Sequence, residues 1–168
     1  MKKSIMFALV ALMSAALISC GGGPLEIWRV SSTDKPEVCT PKLNTAPDDT
    51  KTTLDGSTWE IYKGTDDKYF LLIGGKTSYE GTKDGKKYTF KGESKKHEPW
   101  STATQITTTI TETYELEVKG KNLTGTRTWK KVKDCAGTCN SDAGDRQTCD
   151  SKDDIHGIKV DPDVEYHI

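Results

Sequence analysis

The chain has 168 residues, 33% of them hydrophobic, and carries 24 Lys+Arg against 25 Asp+Glu. One domain is expected at this length, and the balanced charge argues against a nucleic-acid partner, which needs a basic surface. With so few apolar residues the core must be small, so covalent cross-links are expected to help stabilise the fold.

The chain opens with the pattern of an export signal. Lys2 and Lys3 precede a nearly continuous apolar run over residues 5–18, and Cys20 lies just beyond it. A membrane-spanning helix needs about 20 apolar residues, so a run of this length followed by glycines and a proline is typical of a cleaved signal peptide. Removal of residues 1–19 leaves 22 basic and 25 acidic residues, a net charge of −3.

Leu17-Ile18-Ser19-Cys20 resembles the lipobox of bacterial lipoproteins. The resemblance implies cleavage before Cys20 and acyl chains on its thiol and new amino group, which together anchor a protein in a membrane. Gly21, in place of an aspartate, favours the outer membrane. We therefore expect a lipid-anchored protein of the bacterial cell envelope, surface exposure being one possibility. The alternative is an ordinary signal peptide cut a few residues later.

Residues 20–55 have the composition of a lipidated tether. Four of the six prolines fall there, and about 35 flexible residues would reach roughly 35 Å. Residues 25–30 interrupt this pattern, because a tryptophan and three aliphatic residues are seldom left in water. They predict one added strand within the tether, ahead of a β domain over residues 56–168.

The β domain begins with alternating runs and glycine-bearing turns. Four successive strands are predicted over residues 59–63, 69–74, 76–81 and 86–92. Asp84-Gly85 is typical of a type I′ hairpin turn, and pairing across it puts Tyr79 opposite Phe90.

The clearest alternation runs over residues 104–118, where apolar residues occupy even positions and Gln, Thr or Glu the odd ones. A turn at Gly120-Lys121 leads into residues 123–129, whose large side chains are on odd positions. Pairs whose numbers sum to 241 join these two faces. The sequence therefore predicts an all-β fold, an antiparallel meander of seven to eight strands forming a small barrel or curled sheet with an irregular C-terminal tail.

Four cysteines remain after Cys20 is lipidated, and an even number in an oxidising compartment predicts two disulfides. They are Cys39, Cys135, Cys139 and Cys149. Three connectivities are possible. In one of them, a bond between Cys139 and Cys149 would cross-link the tail, and a bond between Cys39 and Cys135 would attach the N-terminal segment to the domain. The alternative is a zinc site made by the last three cysteines and a histidine, although C-x3-C-x9-C is not a recognised zinc spacing.

Two motifs resemble bacterial lipocalin-like lipoprotein domains over residues 54–131. Leu54-x-Gly56-x-x-Trp59 enters the first strand, and the meander ends in Leu123-Thr124-Gly125-Thr126-x-Thr128-Trp129. Lipocalins carry Gly-x-Trp, whereas two residues separate the pair here. The resemblance implies a lipocalin-like barrel in which Arg127 packs over Trp59, but it does not identify a ligand.

Glu112 and Arg127 form a candidate interior polar pair. Glu112 is the single charge on the buried parity of its strand, and Arg127 is its diagonal neighbour in the predicted register. Two interpretations stay open: the pair orients a ligand in a cavity, or it is a structural ion pair or bulge, which we favour.

A polar connection, Lys95-Lys96-His97-Glu98-Pro99-Trp100, is the candidate partner contact, with Lys95, Lys96, His97 and Trp100 as its functional residues. A tryptophan beside basic residues in a loop is the composition of a protein contact or a glycan patch. The competing interpretation is that Trp100 plugs one end of the barrel.

The sequence contains none of the short motifs of nucleophilic, zinc-protease or phosphate-binding enzymes, so no catalytic residue, cofactor or metal is predicted. Aspartates at 142, 145, 150, 153 and 154 suggest calcium, but their order is not that of an EF-hand and a solvated acidic loop is favoured. We expect a non-catalytic protein that binds host or environmental proteins or glycans at the cell surface. The alternatives are a lipocalin-like carrier or sensor of a small hydrophobic ligand and an envelope inhibitor of a foreign hydrolase.

Overall fold

A computed structural model describes residues 24–40, 56–101, 104–139 and 146–160, with residues 99–101 described by their backbone alone. These segments form nine strands and their turns. The strands are β1 (Glu26–Thr33), β2 (Val38–Thr40), β3 (Ser57–Lys63), β4 (Tyr69–Ile73), β5 (Thr77–Asp84), β6 (Lys87–Ser101), β7 (Thr104–Lys119), β8 (Asn122–Gly137) and β9 (Gln147–Lys159).

Eight of the strands close into an antiparallel barrel. Their order is β1-β3-β4-β5-β6-β7-β8-β9, and β9 pairs again with β1. The short β2 pairs with the beginning of β9. The predicted all-β meander and its closure into a small barrel are therefore confirmed.

The longest hairpin has the predicted register. Residues of β7 and β8 pair from Thr104 with Gly137 to Lys119 with Asn122, and every pair sums to 241. Gly120 takes a positive φ of 63° in the two-residue loop between them. The alternation was readable because one face of this hairpin is buried, so a slip by one residue would expose all of its apolar side chains.

The predicted pairing of Tyr79 with Phe90 is wrong by two residues. Asp84 pairs with Lys87, so the loop consists of Gly85 and Lys86, and Phe90 lies opposite Gly81. Only Gly85 has a positive φ, 56°, which fits a turn with glycine at the first central position. The two-residue shift keeps both aromatic side chains on the buried face, because side chains alternate with a period of two.

The structure differs from the prediction in three segments. The added strand predicted at residues 25–30 is present as β1, but it belongs to the barrel wall between β3 and β9 rather than to a tether. Residues 95–100, predicted as a connection, continue β6 opposite β7. The region predicted as an irregular tail contains β9, which closes the barrel. The inward positions of β9 include Cys149, Ser151 and Asp153, whose polarity hides the alternation.

The barrel has two different ends. The hairpin end carries the loops at residues 64–68, 85–86 and 120–121, together with the start of β1 and the end of β9. At the opposite end, the sheet end, β6, β7, β8 and the beginning of β9 extend beyond the shorter β3, β4 and β5. All features of interest below lie at one of these two ends or between them.

Candidate functional site

Large side chains fill the interior of the barrel nearest the hairpin end. Twelve buried residues form one cluster, of which Trp28, Trp59 and Tyr88 are fully inaccessible to solvent. Trp59 packs edge-on against Tyr114 with 5.4 Å between ring centroids, and Tyr88 stacks on Phe90 at 5.7 Å. This part of the interior is a packed core.

Glu112 and Arg127 meet inside the barrel. Glu112 Oε1 accepts from Arg127 Nε at 2.9 Å and also from its Nη2, and the side chains are 16% and 2% exposed. Tyr79 and Tyr114 donate their hydroxyls to the same carboxylate, the latter at 3.3 Å. Four donors therefore surround one carboxylate inside the barrel, which is the geometry of a buried ion pair.

Gly92 allows Tyr79 to reach Glu112 across the intervening strand. A Cβ at Gly92 would lie 2.5 Å from Cδ1 of Tyr79, so the ring passes directly over the glycine backbone. Gly92 is paired with Glu112 on β7. Burial, followed by the nearby Tyr114 and Glu112, raises the pKa of Tyr79 well above its usual range, so its hydroxyl stays protonated and donates.

Asp153 extends this polar group, and sequence reasoning did not single it out. It is fully buried, lies 3.7 Å from Arg127 Nη1, and accepts the backbone N–H of Lys35 at 3.1 Å. It was counted among the aspartates of the tail, although Ile155 and Gly157 on the same parity of β9 were a signal that it points inward. Asp150 and Asp154 alternate with it on the outer face, so these three carboxylates do not converge on a cation.

Residues 34–40 pass close to this polar interior at the sheet end. Glu37 lies 3.7 Å from the ammonium of Lys131, a lysine that is only 2% exposed. Cys39 pairs with Cys149 on β9 and is disulfide-bonded to it. Glu37, Lys131 and Cys149 are thus further interior groups that the sequence pattern did not reveal as neighbours.

The two predicted disulfides are present, in one of the three possible connectivities. Cys39 bonds to Cys149 and Cys135 bonds to Cys139, which differs from the pairing of Cys39 with Cys135 that was considered from the sequence. Strand β9 was not predicted, and its pairing with β2 places Cys149 directly opposite Cys39. The carboxylate of Glu37 lies near Cys39 and Cys149. The three cysteines of the zinc alternative, Cys135, Cys139 and Cys149, are all disulfide-bonded.

The candidate partner contact lies on the long β6 at the sheet end. The side chains of Lys95, Lys96 and His97 are exposed. Lys95 pairs with Glu93 at 2.9 Å, and Lys96 pairs with Glu98 at 2.6 Å. His97 Nδ1 lies 3.0 Å from the Thr107 hydroxyl. Trp100 follows on the same strand, and its side chain lies outside the described residues.

One edge of this part of β6 is open among the described strands. β5 pairs with β6 only as far as Lys91, while β7 continues along its other edge. The N–H of Val118 donates to the carbonyl of Lys86 at 2.9 Å. Bonding direction alternates along an antiparallel ladder, so odd-numbered residues of β6, such as Glu93 and Lys95, direct N–H and C=O toward the open edge. Pro99, which has no N–H, also has an odd number.

A shallow groove of about 410 Å³ lies on the outer face of β1, β8 and β9. Arg29 is anchored there by a bond of 3.2 Å from its Nη1 to the Thr58 hydroxyl. The outward side chains along the groove are Arg29, Ser31, Asn122, Thr124, His156 and Ile158. The groove is a feature of the barrel wall, on the opposite side of the wall from the packed core.

No family model, curated protein or solved structure matches the chain, so the site is defined by its own geometry. Cys20 and the predicted signal peptide before it lie outside the described residues. Within the part of the chain that the structure describes, no helix is long and apolar enough to cross a membrane.

Proposed function

We propose that the protein is a lipid-anchored, non-catalytic component of a bacterial cell envelope that binds a partner protein through the open edge of β6. The observation that carries the binding function is this edge, on which odd-numbered residues such as Glu93, Lys95 and His97 present backbone groups to no described strand. The anchor is proposed from Leu17-Ile18-Ser19-Cys20 and the apolar run before it.

The disulfides support a location outside the cytoplasm. Cys39, Cys135, Cys139 and Cys149 are all paired. Structural disulfides persist in oxidising compartments and are rare where thiols are kept reduced. This fits the export signal and leaves Cys20 as the one cysteine for a lipid.

An extended segment of a partner would add to β6 as a further antiparallel strand. Backbone hydrogen bonds would supply affinity, and side chains alternating to either face would supply specificity. Each face of this part of β6 carries one lysine beside one glutamate, Lys95 beside Glu93 and Lys96 beside Glu98, so the backbone groups of the edge rather than a net charge carry the proposed recognition. Trp100 is the residue through which a glycan would bind if the partner were a carbohydrate instead.

The alternative of a hydrophobic-ligand carrier is less well supported. A carrier needs an apolar cavity of about 300–1,000 Å³. The twelve core residues occupy the barrel interior instead, and polar and charged side chains follow them toward the sheet end. An inhibitor of a foreign hydrolase would use the same sheet end as the proposed binding function.

Site-specific crosslinking tests the proposal. A photoreactive residue at position 95, in lipidated protein on intact cells bathed in their natural extracellular fluid, should yield discrete adducts. The same residue at Glu115, exposed on the outer face of β7, is the control and should not. His97→Pro removes an edge N–H and should abolish the adducts, whereas His97→Ala retains that N–H and should preserve them.

Two results would contradict this function. Equal adducts at positions 95 and 115, or adducts unaffected by His97→Pro, would mean that the open edge is not the binding site. Saturable, stoichiometric binding of a fluorescent fatty acid by the purified protein would favour the carrier instead.

A further inference from the structure

The position of β1 shortens the link between the proposed lipid and the barrel. The sequence predicted a tether of about 35 residues, but β1 starts at Glu26 and is paired on both edges, with β3 and with β9. Only residues 21–25 separate Cys20 from this wall strand. At no more than about 3.6 Å per residue, the chain from Cys20 to Glu26 reaches at most ~22 Å.

The start of β1 is at the hairpin end. The N–H of Leu25 donates to the carbonyl of Ile61 at 2.7 Å, and β3 continues from there into the loop at residues 64–68. The sheet end lies about 50 Å farther along the 16 residues of β7, measured along the strand. A lipid on Cys20 therefore brings the hairpin end to the membrane and leaves the open edge of β6 away from it.

The described part of the hairpin end is rich in lysine. Seven exposed lysines lie in its loops or next to them, against three exposed aspartates and the two glutamates, Glu80 and Glu117, that pair with Lys68 and Lys119, which leaves an excess of two positive charges. The lysines are Lys63, Lys68, Lys86, Lys87, Lys119, Lys121 and Lys159, and the aspartates are Asp66, Asp67 and Asp84. This excess stands out in a mature chain whose net charge is −3.

Several of these charges are available to a partner. Lys63, Lys68 and Lys119 pair with acidic neighbours at 3.8, 2.8 and 3.2 Å. Lys86 and Lys121, at the tips of two hairpins, form no ion pair with the described residues. Hairpin tips are the first groups that a flat surface meets.

Apolar side chains accompany the lysines. Leu25 is 50% exposed and Ile158 is 65% exposed, and they are two of the three large hydrophobic side chains exposed in the described structure. Leu25 precedes β1, and Ile158 pairs with Asn122, next to the loop at residues 120–121. Lysines around exposed apolar residues are the composition of surfaces that rest on lipid headgroups.

We propose that the hairpin end docks on the anionic phospholipid headgroups of the membrane that carries the Cys20 anchor, so that the barrel stands on this end and presents the sheet end outward. The inference rests on the proposed lipidation. It assigns the lysines a role that the anchor alone does not require, because the anchor fixes only one point of the barrel.

Lysine acylation on vesicles tests this orientation. The mature lipidated protein is reconstituted in phosphatidylcholine vesicles with or without phosphatidylglycerol, separated by flotation and treated with a lysine-specific acylating reagent. Relative to Lys95 and Lys96, acylation of Lys86 and Lys121 should fall about fivefold when the anionic lipid is present, the factor that one basic side chain contributes beside such a surface. High salt should weaken the protection.

Two matched variants separate orientation from anchoring. Lys86→Glu with Lys121→Glu should remove the protection at the hairpin end, as followed on Lys87, whereas Lys95→Glu with Lys96→Glu should leave it unchanged. A flexible insertion of about 30 residues after Gly23, with a reach of roughly 30 Å, should relax the protection without affecting flotation.

Each outcome decides one of the two claims. Protein that does not float with the vesicles would overturn the lipid anchor and the docking that rests on it. Protein that floats but is acylated equally at both ends, or more strongly protected along one wall of the barrel, would overturn the end-on docking and leave the anchor intact.

Discussion

The interior near the hairpin end and the interior near the sheet end are built from different side chains. Toward the hairpin end β7, β8 and β9 contribute Leu116, Leu123 and Ile155, all almost fully buried. Toward the sheet end the same three strands contribute charged groups, Glu112 on β7, Arg127 and Lys131 on β8, and Asp153 on β9. One continuous wall thus encloses an apolar core and an ionic one.

The difference indicates how each half is stabilised. Burial of apolar surface contributes about 25 cal/mol per Å² to stability, and an apolar core tolerates substitutions between apolar side chains of similar volume. Buried charges contribute little net stability but are costly when one partner is lost. The ionic half is also where both disulfides lie, so its stability is expected to depend on a few specific bonds rather than on many small contacts.

The largest expected effect is the loss of the disulfide between Cys39 and Cys149. It closes a loop with a sequence separation of 110, for which chain entropy gives about 4–5 kcal/mol, against about 2 kcal/mol for the separation of 4 between Cys135 and Cys139. Replacing each pair by alanine and measuring the free energy of unfolding in denaturant should reproduce this order. Equal losses would contradict it.

The connectivity itself is checked by peptide mapping without reduction. Trypsin cleavage should leave Cys135 and Cys139 together in the peptide of residues 134–146, lighter by two hydrogens because of an internal bond. The peptide of residues 147–152 should be joined to the one that contains Cys39. A link between Cys39 and the peptide of residues 134–146 would contradict this connectivity.

A smaller loss is expected at the buried ion pair. Arg127→Met leaves the Glu112 carboxylate without its cation, and breaking a buried pair costs about 3–5 kcal/mol. Glu112→Gln should cost less, because the amide oxygen still accepts from Tyr79. The double variant should recover part of the combined loss, and denaturant unfolding of all four proteins measures the coupling.

An exposed pair provides the control for this cycle. Lys68 and Glu80 are 2.8 Å apart with half-exposed side chains, so each single change should alter stability by less than about 1 kcal/mol. Strictly additive losses at Glu112 and Arg127 would mean that the two side chains do not meet. The pairing of β7 with β8 would then have to be reconsidered.

The same contrast explains what the sequence could predict. The register of β7 with β8 was readable because even positions such as Ile106, Tyr114 and Leu116 alternate with Thr and Glu. Strand β9 was missed because its inward residues include Ser151 and Asp153, which a hydrophobic pattern cannot distinguish from a solvated loop. The polar positions of β6 from Glu93 to Glu98 were missed for a related reason, since both faces there are exposed.

Some contacts of the candidate site were also predictable from the sequence, and others were not. Glu112 stood out as a charge on a buried parity, and its diagonal relation to Arg127 followed from the register. The proximity of Glu37 to Lys131 and of Cys39 to Cys149 depends on where residues 34–40 lie relative to β9. No local pattern specifies such a long-range placement, so these contacts required the three-dimensional structure.

The smallest expected effect is an unchanged or raised stability rather than a loss, and it concerns a serine in the ionic half of the interior. Ser151 is 6% exposed, and its buried Oγ has no hydrogen-bond partner among the described residues. An unsatisfied buried hydroxyl costs about 1–3 kcal/mol, so Ser151→Ala should leave stability unchanged or raise it by about 1 kcal/mol.

Ser57 is the matched control, because its Oγ accepts from the buried Trp59 Nε1 at 2.8 Å and Ser57→Ala should lower stability by about 1 kcal/mol. Thermal and denaturant unfolding of both variants would measure the two signs. A loss at Ser151 as large as that at Ser57 would show that its hydroxyl has a partner, and the ionic half would then be more completely hydrogen-bonded than the structure indicates.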